Sequence, residues 1–279
     1  MRKRAFSKQL LIQGALVLVA LYVLVPIWGL AFMAFDGSVK IRPTEFQFFP
    51  KLFSFDAFAA VWENSTQHQP FLAVLKNSLI VAGGAALLAV AFGASMAYAF
   101  ARFRFPGRQA GLFVLLAGAM LPPVALMTPL YILLTMLQIR ATLFGLMLVY
   151  AAIALPFCIW NMRASFQAVP AELEQAAFID GASFWRAFTH ITLPLALPSL
   201  LIAALIAFLA GYSEFAMGWL FIQSGDQITL AMALALFVNS SISSSSLAAL
   251  TLLMSVPVVI LFILLQRYLL DRALMGSAD

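Results

Sequence analysis

Residues able to do acid–base or ionic chemistry are few in this chain and unevenly placed. Among 279 residues there are 16 Lys and Arg, 11 Asp and Glu, and 2 His. Glu172, Glu174, Asp180, Arg186 and His190 all fall within "AVPAELEQAAFIDGASFWRAFTHITLP", residues 168–194. Glu214, in "FLAGYSEFAMGWLF", is the acid that stands well inside an apolar run. No G-x-x-x-x-G-K-[ST] loop offers backbone amides to a phosphate, and no His/Cys set has metal-ligand spacing. Nucleotide hydrolysis and metal chemistry are therefore not expected of the chain itself. Cys158 lies in an apolar run with no second cysteine to pair with, and reads as a small buried hydrophobe.

The elements that position these residues are membrane helices. The chain is 64% apolar and 10% charged, against about 45–50% and roughly 25% in soluble domains. Six apolar runs each reach or exceed the ~20 residues that a helix needs to cross the hydrocarbon core. They are Leu10–Phe35, Phe71–Ala101, Ala110–Leu137, Leu143–Met162, Leu195–Ile222 and Leu247–Leu270. The fold class expected is thus an all-α integral membrane protein with six transmembrane helices. "MLPP" at 120–123 predicts a kink or break in the third run, because proline removes a backbone donor and clashes with the preceding turn. The first run is longer than the ~7–15 residues of a signal-peptide core, and no small-residue cleavage pattern precedes "FDGSVKIRP", so it is expected to stay as an anchor.

The charges set an orientation. With the N-terminus inside, the inner face carries Arg2, Lys3, Arg4, Lys8, Arg102, Arg104, Arg108, Arg163, Arg186, Arg267 and Arg272, and the outer face Lys40, Arg42, Lys51, Lys76 and Arg140. An excess of Lys and Arg marks the cytoplasmic side. Both termini and residues 164–194 are expected there, in the cytoplasmic (inner) membrane of the cell. The basic clustering then reports topology, and no nucleic-acid partner is implied. The expected organisation is a cytoplasmic N-terminus (1–9), a first transmembrane helix (10–35), an outer loop (36–70), a five-helix core (71–270) with an outer loop at 224–246, and a cytoplasmic tail (271–279). "ITLAMALALF" (228–237) is apolar enough to dip toward the membrane or pack on outer loops. His68 and His190 fall in opposite compartments and cannot share a site.

Residues 168–194 read as two short helices with a corner. Pro170 suits a first helical turn, and Glu172 and Glu174 favour the positive end of the helix dipole. Leu173, Ala176, Ala177 and Ile179 give an apolar stripe. Gly181 offers the left-handed conformation that ends a helix. Ser183 can cap the next helix, with Phe184, Phe188 and Ile191 at i, i+4 and i+7. Two uses of such a knob stay open from composition: lying on lipid headgroups, or filling a groove on another protein. Only Arg186 is cationic, so the basic enrichment of interfacial helices is missing.

These residues carry a resemblance. "EQAAFIDGASFWRAFTHITLP" resembles the signature loop of the membrane subunits of binding-protein-dependent ABC importers: E-A-A, three residues, Gly, nine residues, Ile, any residue, Leu-Pro. Ala176 and Ala177 stand three residues before Gly181, and Ile191, Leu193 and Pro194 fall at the family distances. "NSLIVA" (77–82), "AYAFARFRFPGR" (97–108), "YAAIALPFCIWNMRASF" (150–166) and "LFILLQRYL" (261–269) are similar to the carbohydrate, MalG-like branch of that family. The resemblance spans about residues 70–270. It implies the type I ABC importer permease architecture, with a cytoplasmic coupling-helix loop seated in a cleft on an ATPase subunit. The implied partners are a homologous sister permease, an ATPase dimer, an extracytoplasmic solute-binding protein and the lipid bilayer. ATP and magnesium would belong to the ATPases, with no cofactor bound by this chain and no catalysis of its own. The implied coupling residues are Glu172, Glu174, Gln175, Ala176, Ala177, Asp180, Gly181, Phe184, Phe188 and Pro194. One position departs from the family: Gln175 stands where the triplet has Glu, and Glu174 lies about 100° away around the helix. The ionic contact expected there has either moved to Glu174 or been lost. The tail "RALMGSAD" departs too.

Glu214 has two readings, a pathway or gate residue and a structural hydrogen bond to a neighbouring helix. Tyr212, Ser213, Asn77 and Ser78 join it as candidates for the translocation path. For Asn77, Ser78, Tyr98 and Asn161, hydrogen bonding between helices is the stronger expectation. The function expected is inward movement of a sugar, first of all a maltose- or maltodextrin-like oligosaccharide. Another solute, including glycerol 3-phosphate, is the alternative, although no Lys or Arg sits deep in a span to meet a phosphate. A secondary transporter would need inverted repeats and midplane ion sites. A membrane enzyme would need clustered acids, bases or metal ligands.

Overall fold

The computed structural model describes residues 6–38, 49–66, 69–222, 225–239 and 243–275. Sequence-based assignments on 1–5, 39–48, His68, Ser224, 240–242 and 276–279 lie outside the described residues. The described part is helical: α1 (Phe6–Phe35), α2 (Asp56–Glu63), α3 (Phe71–Arg102), α4 (Arg108–Ala119), α5 (Pro123–Met136), α6 (Leu143–Ala168), α7 (Ala171–Ile179), α8 (Phe184–Ala187), a π-turn (Phe188–Thr192), α9 (Leu193–Leu195), α10 (Leu197–Ser213), α11 (Ala216–Phe221), α12 (Leu230–Asn239) and α13 (Ser244–Met275). Strand-like pairing among the described residues is limited to isolated bridges, Asp36 with Phe53 and Thr66 with Gln69.

Four of these helices are long and apolar enough to cross a membrane singly, within α1, α3, α6 and α13. The other two expected spans are not straight. α4 and α5 meet at 101°, and the α8–α9 segment meets α10 at 77°. Counting each bent pair as one span restores six. The α4–α5 elbow follows from its sequence. Pro122 is extended (φ −60°, ψ 130°) and precedes Pro123, the first residue of α5. A residue before proline is driven out of the helical region. The fifth run, expected as continuous from Leu195 to Ile222, is instead α10, a break at Glu214 and Phe215, and α11.

The chain divides into two compact units. The first joins Met1–Phe71 with Leu234–Val256. In it, α1 is exposed along most of its length, Tyr22 to 83%. A helix that is apolar on every side belongs in a membrane rather than in water. At its end Phe35 stacks on the Phe53 ring at 5.4 Å and packs edge-on against Phe55. The Asp36 side chain accepts hydrogen bonds from the Ser38 amide (2.9 Å) and hydroxyl (2.6 Å) and from the Lys51 amide (3.1 Å). Burial alone would raise the Asp36 pKa, but these bonds outweigh it and hold the carboxyl below its ordinary value. The Ser245 hydroxyl donates to the Asp36 carbonyl at 3.0 Å.

The second unit, Leu72–Ala233 with Pro257–Asp279, packs α3, α6 and α10 around small residues. A Cβ on Gly211 would lie 3.2 Å from the Tyr150 ring and 3.6 Å from the Ala82 backbone. Such small residues let membrane helices approach closely, where apolar burial gives no drive between them. Thr142 caps α6 by accepting from the Gly145 amide at 3.0 Å and donates to the Ile139 carbonyl at 2.6 Å. Gly145 is pressed against that same Ile139 carbonyl, closer than any Cβ can sit.

Replacing Gly145 by Ala should therefore destabilise the detergent-solubilised protein by ~1–3 kcal/mol, the range for forced overpacking. Gly118→Ala, where a Cβ meets nothing within 4 Å, should be near neutral; equal thermal midpoints for the two variants would refute this packing. Asp36 adds a pH dependence. Its folded pKa is depressed, so its contribution is complete above the unfolded value of about 3.9 and is lost as pH falls through the lower folded value. Protection of the Lys51 amide from hydrogen exchange, relative to its intrinsic rate at each pH, should fall over that acid window in the wild type, and should already be low at neutral pH in Asp36→Asn.

Candidate functional site

The two-helix knob is built as its residues dictate. Val169 and Pro170 are extended, and α7 starts at Ala171 with Glu172 and Glu174 in its first turn. Gly181 has φ +84°. The Ala182 amide donates to the Ala177 carbonyl (2.9 Å) and the Gly181 amide to that of Phe178 (3.1 Å). This is the paired bonding of a glycine-terminated helix. A Cβ at Gly181 would meet nothing within 4 Å, so it is the backbone angle that requires glycine. The Ser183 hydroxyl then accepts from the Arg186 amide at 3.3 Å and caps α8.

One face of the knob is turned outward. Ile179 is 88% exposed at the corner, with Phe184 at 60% and Trp185 at 69%. Glu172, Gln175, Ala176, Asp180, Gly181 and Pro194 are exposed around them, and Ala177 is half-buried. The other face is turned inward. Phe188 is buried, 4.6 Å from the Tyr98 ring and 6.1 Å from that of Phe166.

Glu174 is buried too, at 4% exposure. The Arg102 Nε, on the last turn of α3, donates to Glu174 Oε1 at 2.9 Å, and the Tyr98 hydroxyl donates to Oε2 at 3.2 Å. The Thr192 hydroxyl, from the π-turn, also donates to Oε1. A second Arg102 nitrogen reaches the Val169 carbonyl at 2.9 Å. The π-turn sets the last partner: its wider winding shifts register, so Thr192 is buried while Ile191 is only half-buried.

The intramembrane acid is also partnered. Glu214 accepts from the Tyr150 hydroxyl at 2.6 Å and from the Met217 amide at 3.1 Å, so it closes α10 and caps α11. Tyr212 is buried against Phe208, with rings 5.3 Å apart. Ser213 is exposed, its hydroxyl returned to the Leu209 carbonyl at 2.8 Å. Asn77 donates to the Asp226 and Ile228 carbonyls (2.9 and 3.0 Å), and Ser78 accepts from the Leu230 amide (2.7 Å). These two residues fasten the start of α12 to α3. Asn161 accepts from the Ser199 hydroxyl at 2.6 Å, joining α6 to α10.

The sequence model of the binding-protein-dependent transport system inner membrane component matches residues 89–274. The chain belongs to this family. It is 31% identical over 265 residues to the diacetylchitobiose uptake system permease protein NgcG of Streptomyces coelicolor, with 94% of this chain and 86% of that protein covered. It is 31% identical over 280 residues to the trehalose/maltose transport system permease protein MalG of Thermococcus litoralis, with 99% of each covered. A solved bacterial ABC transporter involved in import of the acidic polysaccharide alginate shares the fold, with a TM-score of 0.76 at 22% identity, covering 96% of this chain and 99% of that one. The protein is thus a permease subunit of a binding-protein-dependent importer in the inner membrane, and such subunits are not themselves enzymes.

Within this permease the structure separates residues that the spacing had grouped. Glu174 and Phe188 face the interior, so neither is presented on the exposed side of the knob. Glu174 in particular has not taken over an outward contact from Gln175, because Arg102 and Thr192 already hold it. Asn77 and Ser78 spend their polar groups on α12, which leaves Glu214 and Ser213 as the accessible polar candidates of the α10–α11 break. Arg102, Thr192 and Val169 were missed as partners of Glu174. The available signal was Tyr98 and Arg102, four residues apart and so on one face of α3.

Tyr150→Phe deletes the hydroxyl bonded to the Glu214 carboxylate while keeping the ring against Gly211. It should cost ~1.5–3 kcal/mol, as for a lost bond to a charged group. Thermal unfolding in detergent checks this, and an unchanged midpoint would show that the bond contributes nothing.

Proposed function

We propose that this permease moves a maltose- or maltodextrin-like oligosaccharide inward by alternating access, driven by ATPase subunits that grip the 169–194 knob. The observation that carries the coupling is the outward apolar corner of Ile179, Phe184 and Trp185, at the end of the permease where α3 closes on Arg102. Apolar knobs of this size suit a groove on a protein partner. That end is the cytoplasmic one by the excess of Lys and Arg, and both termini lie with it. The working assembly pairs this chain with a homologous sister permease, two ATPase subunits that hold ATP and magnesium, and an extracytoplasmic solute-binding protein. The coupling surface comprises Glu172, Gln175, Ala176, Ala177, Asp180, Gly181, Phe184 and Pro194, with Phe188 supporting it from beneath.

The sugar class rests on relatives named for trehalose/maltose and for diacetylchitobiose transport. Short neutral oligosaccharides are common to both names. The absence of Lys or Arg deep in a span agrees with a neutral cargo. Diacetylchitobiose is the second reading, favoured by the NgcG relative. Uptake of labelled maltose into vesicles holding the full complex, competed by trehalose and by diacetylchitobiose, tests the cargo. ATP-dependent uptake of labelled diacetylchitobiose with no ATP-dependent uptake of labelled maltose would overturn the first reading.

Ile179→Asp places a charge at the docking corner and should cut co-purification of the ATPase subunits by about tenfold or more, the scale of one interface hot spot. Lys76→Gln, exposed at the opposite end of α3 from Arg102, should leave it unchanged. Equal recovery of ATPases with both variants would sink the docking role.

A further inference from the structure

The Glu174 node contains more than a family loop requires, because its acid faces away from any partner. A single buried carboxylate joins three separate stretches of chain. Tyr98 and Arg102 bring the end of α3, the Arg102 bond to the Val169 carbonyl brings the α6–α7 junction, and Thr192 brings the π-turn that leads into α10. The exposed apolar corner sits on the far side of the same two short helices.

We infer that Glu174 is a positioning residue for transport: its carboxylate, locked to Arg102, makes the knob and the ends of α3, α6 and α10 move as one body, so that force applied at Ile179, Phe184 and Trp185 reaches the transmembrane helices. This inference rests on the coupling role proposed above for the knob. Three physical arguments carry it. An isolated helix of nine residues is marginal and would yield under load without an anchor. The aromatic packing of Phe188 on Tyr98 and Phe166 resists separation, but apolar contact is non-directional and does not fix rotation. Charge-assisted bonds fix both distance and angle, and at 4% exposure water does not compete for the carboxylate. A buried ion pair adds little net stability compared with an apolar core of the same shape. Its presence here is better explained by the geometry that it imposes than by the stability that it adds.

The test uses the complete reconstituted transporter and reads three quantities: ATPase co-purification, binding-protein-stimulated ATP hydrolysis, and sugar taken up per ATP hydrolysed. Glu174→Gln keeps the shape and removes the charge. It should retain the ATPases but lower uptake per ATP by about tenfold or more, the scale of a lost bond to a charged group. Glu174→Asp should recover part of the ratio, and Arg102→Lys should retain more of it than Arg102→Ala. A merely structural role would lower the yield of complex and leave the ratio of the surviving complex untouched. Wild-type ratios in an assembled Glu174→Gln complex overturn the inference. If Glu174→Gln fails to assemble, Thr192→Val decides, since it removes one arm of the node without changing side-chain shape: a lowered ratio supports the link, and an unchanged one overturns it. Absence of ATP-dependent uptake in the wild-type complex would instead overturn the importer reading, and this inference with it.

Discussion

The fold depends on keeping one carboxylate away from water at the membrane's edge. Glu174 holds the knob to α3 through Arg102 and Tyr98, and to the foot of α10 through Thr192. Taking a charge out of water is costly, and only a full set of donors offsets that cost. The surrounding sequence supplies them: a π-turn to aim Thr192, an extended Val169–Pro170 corner to offer its carbonyl, and an α3 that ends in arginine. The aromatic packing of Phe188 closes over the assembly and keeps the local dielectric low.

A second acid follows the same logic deeper in the chain. Glu214 also takes a tyrosine hydroxyl, that of Tyr150, and uses its other lone pairs on the backbone amides exposed where a helix restarts. Each acid sits at an interruption in the helical ladder, one at the knob and one between α10 and α11. In both cases an ionisable group satisfies backbone or side-chain donors that the interruption frees, which is how membrane proteins tolerate broken helices. The break therefore places a polar group at depth without leaving it bare.

Most of the helical layout was legible from apolar run length and from arginine placement. The knob was legible from Pro170, Gly181 and Ser183, whose backbone preferences act locally and need no partner to be read. Less legible were the features that depend on neighbours. Glu174 and Gln175 are adjacent acid and amide in the sequence, and nothing local tells which one faces inward. That is decided by Arg102, 72 residues away. The break at Glu214 was hidden because "GYSEFAMG" (211–218) holds no proline to force it, and the interruption shows only in the structure, where Glu214 accepts from the Met217 amide. For Asn77 and Ser78 hydrogen bonding was the stronger expectation, but which groups they bond was not legible, because their partners are backbone groups at 226, 228 and 230, which carry no side-chain signature.

The α4–α5 elbow has a further consequence. Pro122 and Pro123 supply no amide hydrogen, so the Gly118 carbonyl takes the Leu121 amide at 3.2 Å instead, and the Ala119 carbonyl loses the donor that a continuous helix would give it. Such a turn is unstable against bare hydrocarbon, and lipid tails are a poor cover for it. Met120 and Val124, both more than two-thirds exposed, flank it. The elbow thus marks a stretch of surface that acyl chains cannot seal by themselves. A carbonyl freed at membrane depth is tolerated where it meets water or another polypeptide, so the elbow is suited to a boundary of the annular lipid shell.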